Sequence, residues 1–327
     1  MMKALTYHAD DDQFVMAELP QPEATGFDVV VKVFAAGLNP VDSKIHLWQS
    51  AAPGMNDNWV PGLDVSGEIV AVGEEVTQWQ VGDKVLYHGD MFRPHGAFAE
   101  YAVQDCRTLV AHPEVSAEVA AASPCAGWTA YRALVDKLHA KDHDAILILG
   151  GAGGVGGFAI QLAKSMGIGT IITTASQAKH NYVHSLGATH IIDYRSQDII
   201  EQVMAITEGI GVPIALDCVG GDNDIIAASC LGYEGEMVEL VSTVRPDAYP
   251  DAFMKGLSFH QLSLGSGHRN GEKAQRDLVR AGEAFSTLLE EGEVLVPQLK
   301  VITLDQVGDE LKAIREQRTL GKVVVRM

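Results

Sequence analysis

Basic residues are scarce in this chain: 24 Lys and Arg stand against 43 Asp and Glu, a formal net charge of −19. A field of that sign repels nucleic-acid phosphates and anionic lipid surfaces unless a local basic patch overrides it, and no Lys/Arg cluster does so here. Cysteine is scarce too. Cys106, Cys125, Cys218 and Cys230 show neither CxxC spacing nor the density of a disulfide scaffold, so reduced and mostly buried thiols are expected. Long apolar runs are missing: Ala145-Ile146-Leu147-Ile148-Leu149 ends in glycines, far short of the ~18–20 residues of a membrane span. Met1-Met2-Lys3 leads directly into the strand-like Ala4-Leu5-Thr6-Tyr7, leaving no room for the apolar core and cleavage site of a signal peptide. The expectation is a cytoplasmic protein with no membrane and no nucleic-acid partner.

What is present is an ordinary globular composition, 47% hydrophobic and 20% charged, with 33 Gly and 12 Pro. At 327 residues the chain exceeds the ~250–300 at which a single core stops growing, so two domains are expected. Short β-type runs at 29–33, 67–72 and 84–87, separated by Gly73, Gly82-Asp83 and Gly89-Asp90, suggest a small barrel or sandwich. Near residue 116 the pattern changes. Residues 117–122 are Ala-rich and 129–138 carry helical spacing. Strands then read at 145–149, 170–174, 190–193, 214–217 and 236–241, alternating with helices at 155–166, 178–186 and 198–207. Continuous apolar character in these strands predicts a parallel sheet covered by helices on both faces. The tail returns to mixed character, with helices at 276–290 and 306–317 and strands at 299–301 and 321–326. A closing strand of that kind pairs most easily with the first region, which makes the doubly wound unit an insertion. The expected boundaries are 1–120, 121–262 and 263–327.

Gly151-Ala152-Gly153-Gly154-Val155-Gly156 matches G-x-G-x-x-G and stands directly after an apolar strand and before a helix. Glycines in that setting allow the tight turn, let backbone N–H groups approach a pyrophosphate and let helix pack close to sheet. Gly151, Ala152, Gly153, Gly154 and Val155 are therefore read as cofactor-binding. An NAD site usually places Asp or Glu on the ribose about 20 residues later. Here that stretch is Thr173-Thr174-Ala175-Ser176-Gln177-Ala178-Lys179, with no acid to repel a 2′-phosphate, a hydroxyl at Ser176 and a charge at Lys179. NADPH is the expected dinucleotide; taken alone, Lys179 also reads as a solvated helix-surface lysine.

With Gly37-Leu38-Asn39-Pro40-Val41-Asp42, Pro61-Gly62-Leu63-Asp64-Val65-Ser66-Gly67, Val81-Gly82-Asp83-Lys84-Val85 and Gly96-Ala97-Phe98-Ala99-Glu100-Tyr101 added, the chain resembles the medium-chain dehydrogenase/reductase family over essentially its full length. Gly127-Trp128-Thr129-Ala130-Tyr131, Asp217-Cys218-Val219-Gly220-Gly221 and Gly321-Lys322-Val323-Val324-Val325 extend the match. The branch resembled is that of the zinc-free quinone oxidoreductases and enone reductases. The resemblance implies an α/β fold, a GroES-like β-rich catalytic domain with an inserted Rossmann domain built on a doubly wound parallel sheet. Zinc-dependent relatives carry a Cys where this chain has Asn39 and a His-Glu pair where it has Leu63-Asp64, and no lobe of four close cysteines follows, so no metal is expected. His88 and His95 read as loop residues at the surface.

The resemblance places Asn39 and Thr129 near the nicotinamide, Gly153, Gly154 and Val155 on the pyrophosphate, and Ser176, Lys179 and Tyr194 around the 2′-phosphate. Val219 and residues 240–242, Val241 among them, would flank the ribose and nicotinamide. Tyr194 also reads as a strand-end packing residue, and Val241 as core. Without a Lewis acid, a quinone or a carbonyl conjugated to a double bond is the expected hydride acceptor, because it spreads the incoming charge onto oxygen. Asn39 and Lys44, and behind them His46 and Trp48, are the candidate donors to that oxygen, while Lys44 reads equally as a surface lysine or a partner of Asp42. Met91, Phe92, Arg93 and residues 258–268 are placed by resemblance near the pocket mouth. An alcohol dehydrogenase with replaced metal chemistry and a cofactor-binding protein with vestigial catalysis are the competing readings. By the same resemblance a homodimer is expected, formed through the edge of the Rossmann sheet near 236–241.

Overall fold

The structure, a computed structural model, describes residues 1–52, 54–296 and 298–327. The chain divides into two compact units: residues 1–128 with 264–327, and residues 129–263 inserted between them.

The first unit is built on β1 (Met2–His8), β2 (Gln13–Leu19), β3 (Asp28–Leu38), β4 (Asp64–Val72), β5 (Lys84–His88), β6 (Tyr101–Asp105) and β7 (Val110–Ala111). β3 is the spine. Its Val-rich text suits a pleated, buried surface, and it pairs antiparallel with β4, β6 and the late strand Lys322–Arg326. That late strand lies between β3 and Leu299–Ile302, so the tail joins the first unit's sheet, as expected of a closing strand that follows the inserted unit. Val29, Val31, Val33, Val65, Ile69, Val85, Phe98, Val323 and Val325 form the core, and the helix Val307–Arg315 lays Val307 and Leu311 onto it. β5 runs one residue further than the sequence suggests. His88 pairs with Asp64 in register and is buried, not a surface loop residue, because the ladder to β4 continues to that pair before the chain turns at Gly89.

The second unit is a six-stranded parallel sheet made of β8 (Ala145–Leu149), β9 (Thr170–Thr174), β10 (His190–Ile192), β11 (Val212–Asp217), β12 (Leu231–Glu239) and β13 (Ser258–Gln261). The strand order β10-β9-β8-β11-β12-β13 reverses direction between β8 and β11, the point where such sheets bind ligands beyond their carboxyl ends. Two expectations are corrected here. β12 ends at Glu239, not 241, where the Glu239 side chain takes the Val241 and Ser242 backbone N–H groups out of the ladder. β13, not read as a strand from its mixed Ser-Phe-His-Gln text, covers β12 and is itself the sheet edge, so residues 236–239 lie inside. Among the described residues the 129–138 stretch is a short α-turn at Thr129–Tyr131 followed by a wider π-type turn at Arg132–Lys137. All four cysteines are free, with Cys106 and Cys230 buried. No helix among the described residues is long and apolar enough to cross a membrane.

Candidate active site

In the inserted unit, β8 delivers the chain into a turn that only glycine makes comfortably. Gly150 has φ +85°, and a Cβ on Gly156 would stand 2.4 Å from the Gly150 carbonyl oxygen. Thr174, at the end of β9, fastens the turn: its Oγ1 accepts from Gly150 N at 2.9 Å and its carbonyl from Gly151 N at 3.2 Å. The helix Gly154–Ser165 follows, with Gly153 as N-cap, so its first N–H groups have no partner within the helix and face the turn. A Cβ on Gly153 would meet only the Gly150 carbonyl, at 3.4 Å, which leaves open space above it. This is a cradle for an anion, and a dinucleotide pyrophosphate fits it.

After β9 the chain passes through Ser176, buried, into the turn Gln177–Lys179, and after β10 through Asp193 to Tyr194. Tyr194 is half exposed and does not pack at the strand end; the Arg195 guanidinium lies 5.8 Å from its ring centroid. Arg195 was not read from the sequence, although a cation directly after Tyr194 was its visible signal. Val219 and Val241 are also exposed, so Val241 is not core. Val219 covers Gly150, and Val241 covers Gly220, at distances where a glycine Cβ would collide with them at 2.7 Å. Two apolar side chains thus stand at the carboxyl ends of β11 and β12, beside the glycine turn. Thr129 is buried at the start of this unit.

In the first unit the sequence candidates sit on a buried polar network. Asn39 is fully buried at the start of the short helix Pro40–Ser43. Its Nδ2 donates to Asp64 Oδ2 at 2.8 Å, and its Oδ1 accepts from Lys322 Nζ at 2.6 Å. Lys322 also donates to the Leu38 carbonyl at 3.2 Å. Asp64 accepts further from Cys125 N at 3.0 Å and contacts His88 Nδ1 at 2.9 Å. A carboxylate only accepts, so the His88 proton sits on Nδ1. Asp42 gives Oδ2 to the Asn39 N–H at 2.8 Å, and its Oδ1 has no hydrogen-bond partner, so no ion pair with Lys44 forms. Burial, with the Asp64 charge second, pushes the Asp42 carboxyl well above the usual carboxylate range. Lys44 itself is half-buried at the end of that helix. Trp48 is not a free donor: its Nε1 is spent on the Val41 carbonyl at 3.1 Å. Nor is Arg93, which holds Asp28 through two bonds of 3.0 and 2.7 Å, whereas Phe92 packs edge-on against Trp48.

Asp64, His88 and Cys125 each present one potential ligand atom, all within 4.8 Å of one another. The sequence did not bring this trio together, because Asp64 stood out only as a departure from a His-Glu pair and Cys125 as a lone thiol. Burial, followed by Asp64, holds the Cys125 thiol well above its usual value. The His268 ring stacks on His88 with centroids 6.2 Å apart, and its Nε2 is buried without a partner. Burial and then the neighbouring His88 push His268 down to about 4. A depressed folded value means that the stability is complete above the ordinary 6.5 and is lost as pH falls toward 4. Wild-type protein should therefore lose on the order of 2 kcal/mol more between pH 7 and pH 4 than a His268→Phe variant in urea unfolding. Equal slopes would show that His268 charges freely in the folded state.

Two family profiles match the chain: one described as an alcohol dehydrogenase GroES-like domain over residues 25–114, and one described as a zinc-binding dehydrogenase over 154–279. A quinone oxidoreductase from Pseudomonas aeruginosa is 31% identical over 303 residues, covering 91% of this chain and 90% of that protein. A synaptic vesicle membrane protein VAT-1 homolog from Danio rerio is 32% identical over 93% of this chain, which spans 65% of that longer protein. Among solved structures, a quinone oxidoreductase from Pseudomonas syringae pv. tomato superposes with a TM-score of 0.88 at 28% identity, covering 100% of both chains. The shared domain order, the glycine turn at the sheet's switch point and these full-length likenesses together place the chain in the medium-chain dehydrogenase/reductase family of oxidoreductases, alongside the quinone oxidoreductases.

Proposed function

We propose that the protein is an NADPH-dependent reductase that transfers hydride to quinones or α,β-unsaturated carbonyl compounds without zinc. The observation that carries this reading is the anion cradle at residues 150–156 beside a β9 end that has no carboxylate. Ser176, Lys179, Tyr194 and Arg195 would hold the 2′-phosphate; the Gly153, Gly154 and Val155 backbone would hold the pyrophosphate. Val219 and Val241, exposed and apolar, would pack on the ribose and nicotinamide. Bound NADPH supplies the hydride; the chain orients it and screens it from water.

The donor set around Asp64 speaks against zinc. Asn39 and Leu63 replace soft and imidazole ligands, the Cys125 thiol is held protonated, and the Asp64 oxygens are already committed to Asn39, Cys125 N and His88. Lys322 also brings a buried ammonium to the same network through Asn39, where a dication would be repelled. A conjugated acceptor needs no Lewis acid, since delocalisation and one or two donors stabilise the developing oxyanion. Lys44 is the candidate donor to that oxygen, and Asn39, tied to Asp64 and Lys322, holds the neighbouring backbone in place. By analogy with relatives, we also read the protein as a cytoplasmic homodimer, with β13 as the sheet edge available for pairing.

The test is cofactor consumption by chelator-treated protein, with NADPH and NADH side by side, against a benzoquinone, a medium-chain enone, an enal and a saturated aldehyde. NADPH-dependent turnover of the conjugated acceptors is expected, with the saturated aldehyde left untouched. Activity that returns only with added zinc, or reduction confined to the saturated aldehyde, would overturn the reading.

A further inference from the structure

Asp217 is the last residue of β11 and Glu239 the last of β12, and the two stand opposite each other in the parallel register. Both are buried, at 0% and 1% exposure. Each carboxyl group spends one oxygen on the loop that follows its own strand. Asp217 Oδ1 accepts from Val219 N at 2.8 Å and Gly220 N at 3.1 Å. Glu239 Oε1 accepts from Val241 N and Ser242 N, both at 2.7 Å. The remaining oxygens, Asp217 Oδ2 and Glu239 Oε2, are buried and receive no donor from elsewhere in the protein. The two carboxyl groups thus end neighbouring strands at the same register position, each with a buried oxygen that lacks a donor. Two ionised carboxylates are acceptors only, so a proton held between them is what would satisfy both oxygens and spare the fold two adjacent buried charges.

We propose that Asp217 and Glu239 are a positioning pair that shares one proton across the ends of β11 and β12, setting the loops of Val219 and Val241, so that NADPH binds more weakly once the proton is lost. The cofactor half of this inference rests on the function proposed above; the shared proton does not. Loss of the proton leaves two buried like charges side by side, which drives the strand ends apart. The loops respond together because Val241 packs directly on Gly220. Burial first, and Asp217 second, raise Glu239 to about 7, against the pull of the Val241 and Ser242 N–H groups. The titratable neighbours do not compensate the pair. Cys218 is pushed well up by burial and by both carboxyls, and Tyr249, pushed up to about 12, stays neutral. On α-helical Asn223–Cys230, Asp224 is already paired with Arg245 at 2.5 Å. The adjoining strands bring Leu149 from β8 and Gln261 from β13, neither of which titrates.

The first measurement is an infrared titration of the wild-type protein without cofactor. One buried carboxylic-acid carbonyl band should disappear between pH 6 and pH 9, and that loss should be missing from Glu239→Gln and Asp217→Asn. Absence of the loss in wild type, or its persistence in both variants, overturns the shared proton, and the wild-type titration decides this even where a variant fails to fold. The second measurement is the NADPH dissociation constant over the same range. It should rise roughly tenfold in wild type, the equivalent of one pH unit of linked protonation, and stay within about twofold in Glu239→Gln, whose amide supplies the missing hydrogen. An equal rise in both proteins overturns the positioning role. If the band titrates as expected and NADPH binds at no pH, the cofactor reading falls and takes the positioning role with it, while the shared proton stands.

Discussion

Gly156→Ala is expected to lower the melting temperature by roughly 5–10 °C and to abolish NADPH binding at concentrations that saturate the wild type. The added Cβ would lie 2.4 Å from the Gly150 carbonyl oxygen and 2.8 Å from Gly151 Cα, both backbone atoms that cannot rotate away. Either the helix Gly154–Ser165 moves off the sheet or the turn opens. Overpacking of this kind costs about 1–3 kcal/mol, and the upper end applies where the obstacle is backbone. Gly153→Ala is the matched control. Its Cβ meets nothing closer than 3.4 Å, so the melting temperature should stay within about 2 °C. The methyl group nevertheless stands in the cradle that the pyrophosphate would fill, and NADPH affinity should fall. Thermal unfolding together with cofactor titration separates the two effects, and a Gly156→Ala protein with wild-type stability and affinity would contradict the close approach of helix and turn.

Lys322→Met is expected to be among the most destabilising single changes in the first unit, at about 3–5 kcal/mol, read as a fall of roughly 1 M in the urea midpoint. Lys322 is almost fully buried, and its ammonium serves the Asn39 side chain and the Leu38 carbonyl beside Asp42 and Asp64. A methionine of similar volume removes the cation and orphans two acceptors while leaving the packing nearly intact. Charge compensation makes a specific further demand. Adding Asp64→Asn to Lys322→Met should recover part of the loss, because the uncompensated carboxylate is then gone. Strictly additive losses would mean that Lys322 acts only through its two hydrogen bonds.

The parts of this protein that were legible in its sequence are those whose cause is local. The glycine turn reads directly because strand, glycines and helix are contiguous, and the structure places Gly151, Gly153 and Gly154 where that order predicts. The tail strand also reads, since its Val-Val-Val text needs a buried sheet and β3 is there to take it. The polar network does not. Asn39 meets Lys322 from 283 residues away, and Asp64 meets Cys125 from 61, separations over which no spacing rule operates. His88 was misplaced for a related reason: Gly89-Asp90 signals a turn, but the pair with Asp64 holds the strand for one residue more. Asp217 was expected to end its strand and Glu239 to lie inside the 236–241 stretch, and only the register of β11 with β12 brings them together.

The insertion also bears on the order in which the chain acquires its shape. Lys322 bonds the Leu38 carbonyl across 284 residues, so the first unit cannot finish its sheet until both ends of a very long loop are brought together. Residues 129–263 form a compact unit of their own within that loop, and once they are folded the effective loop is far shorter. The inserted sheet therefore serves as a fold-first spacer whose collapse speeds completion of the first unit's sheet. A lesion in the glycine turn would then slow assembly of the first unit, and refolding followed by tryptophan fluorescence from Trp79, which packs in that unit's core, would register it.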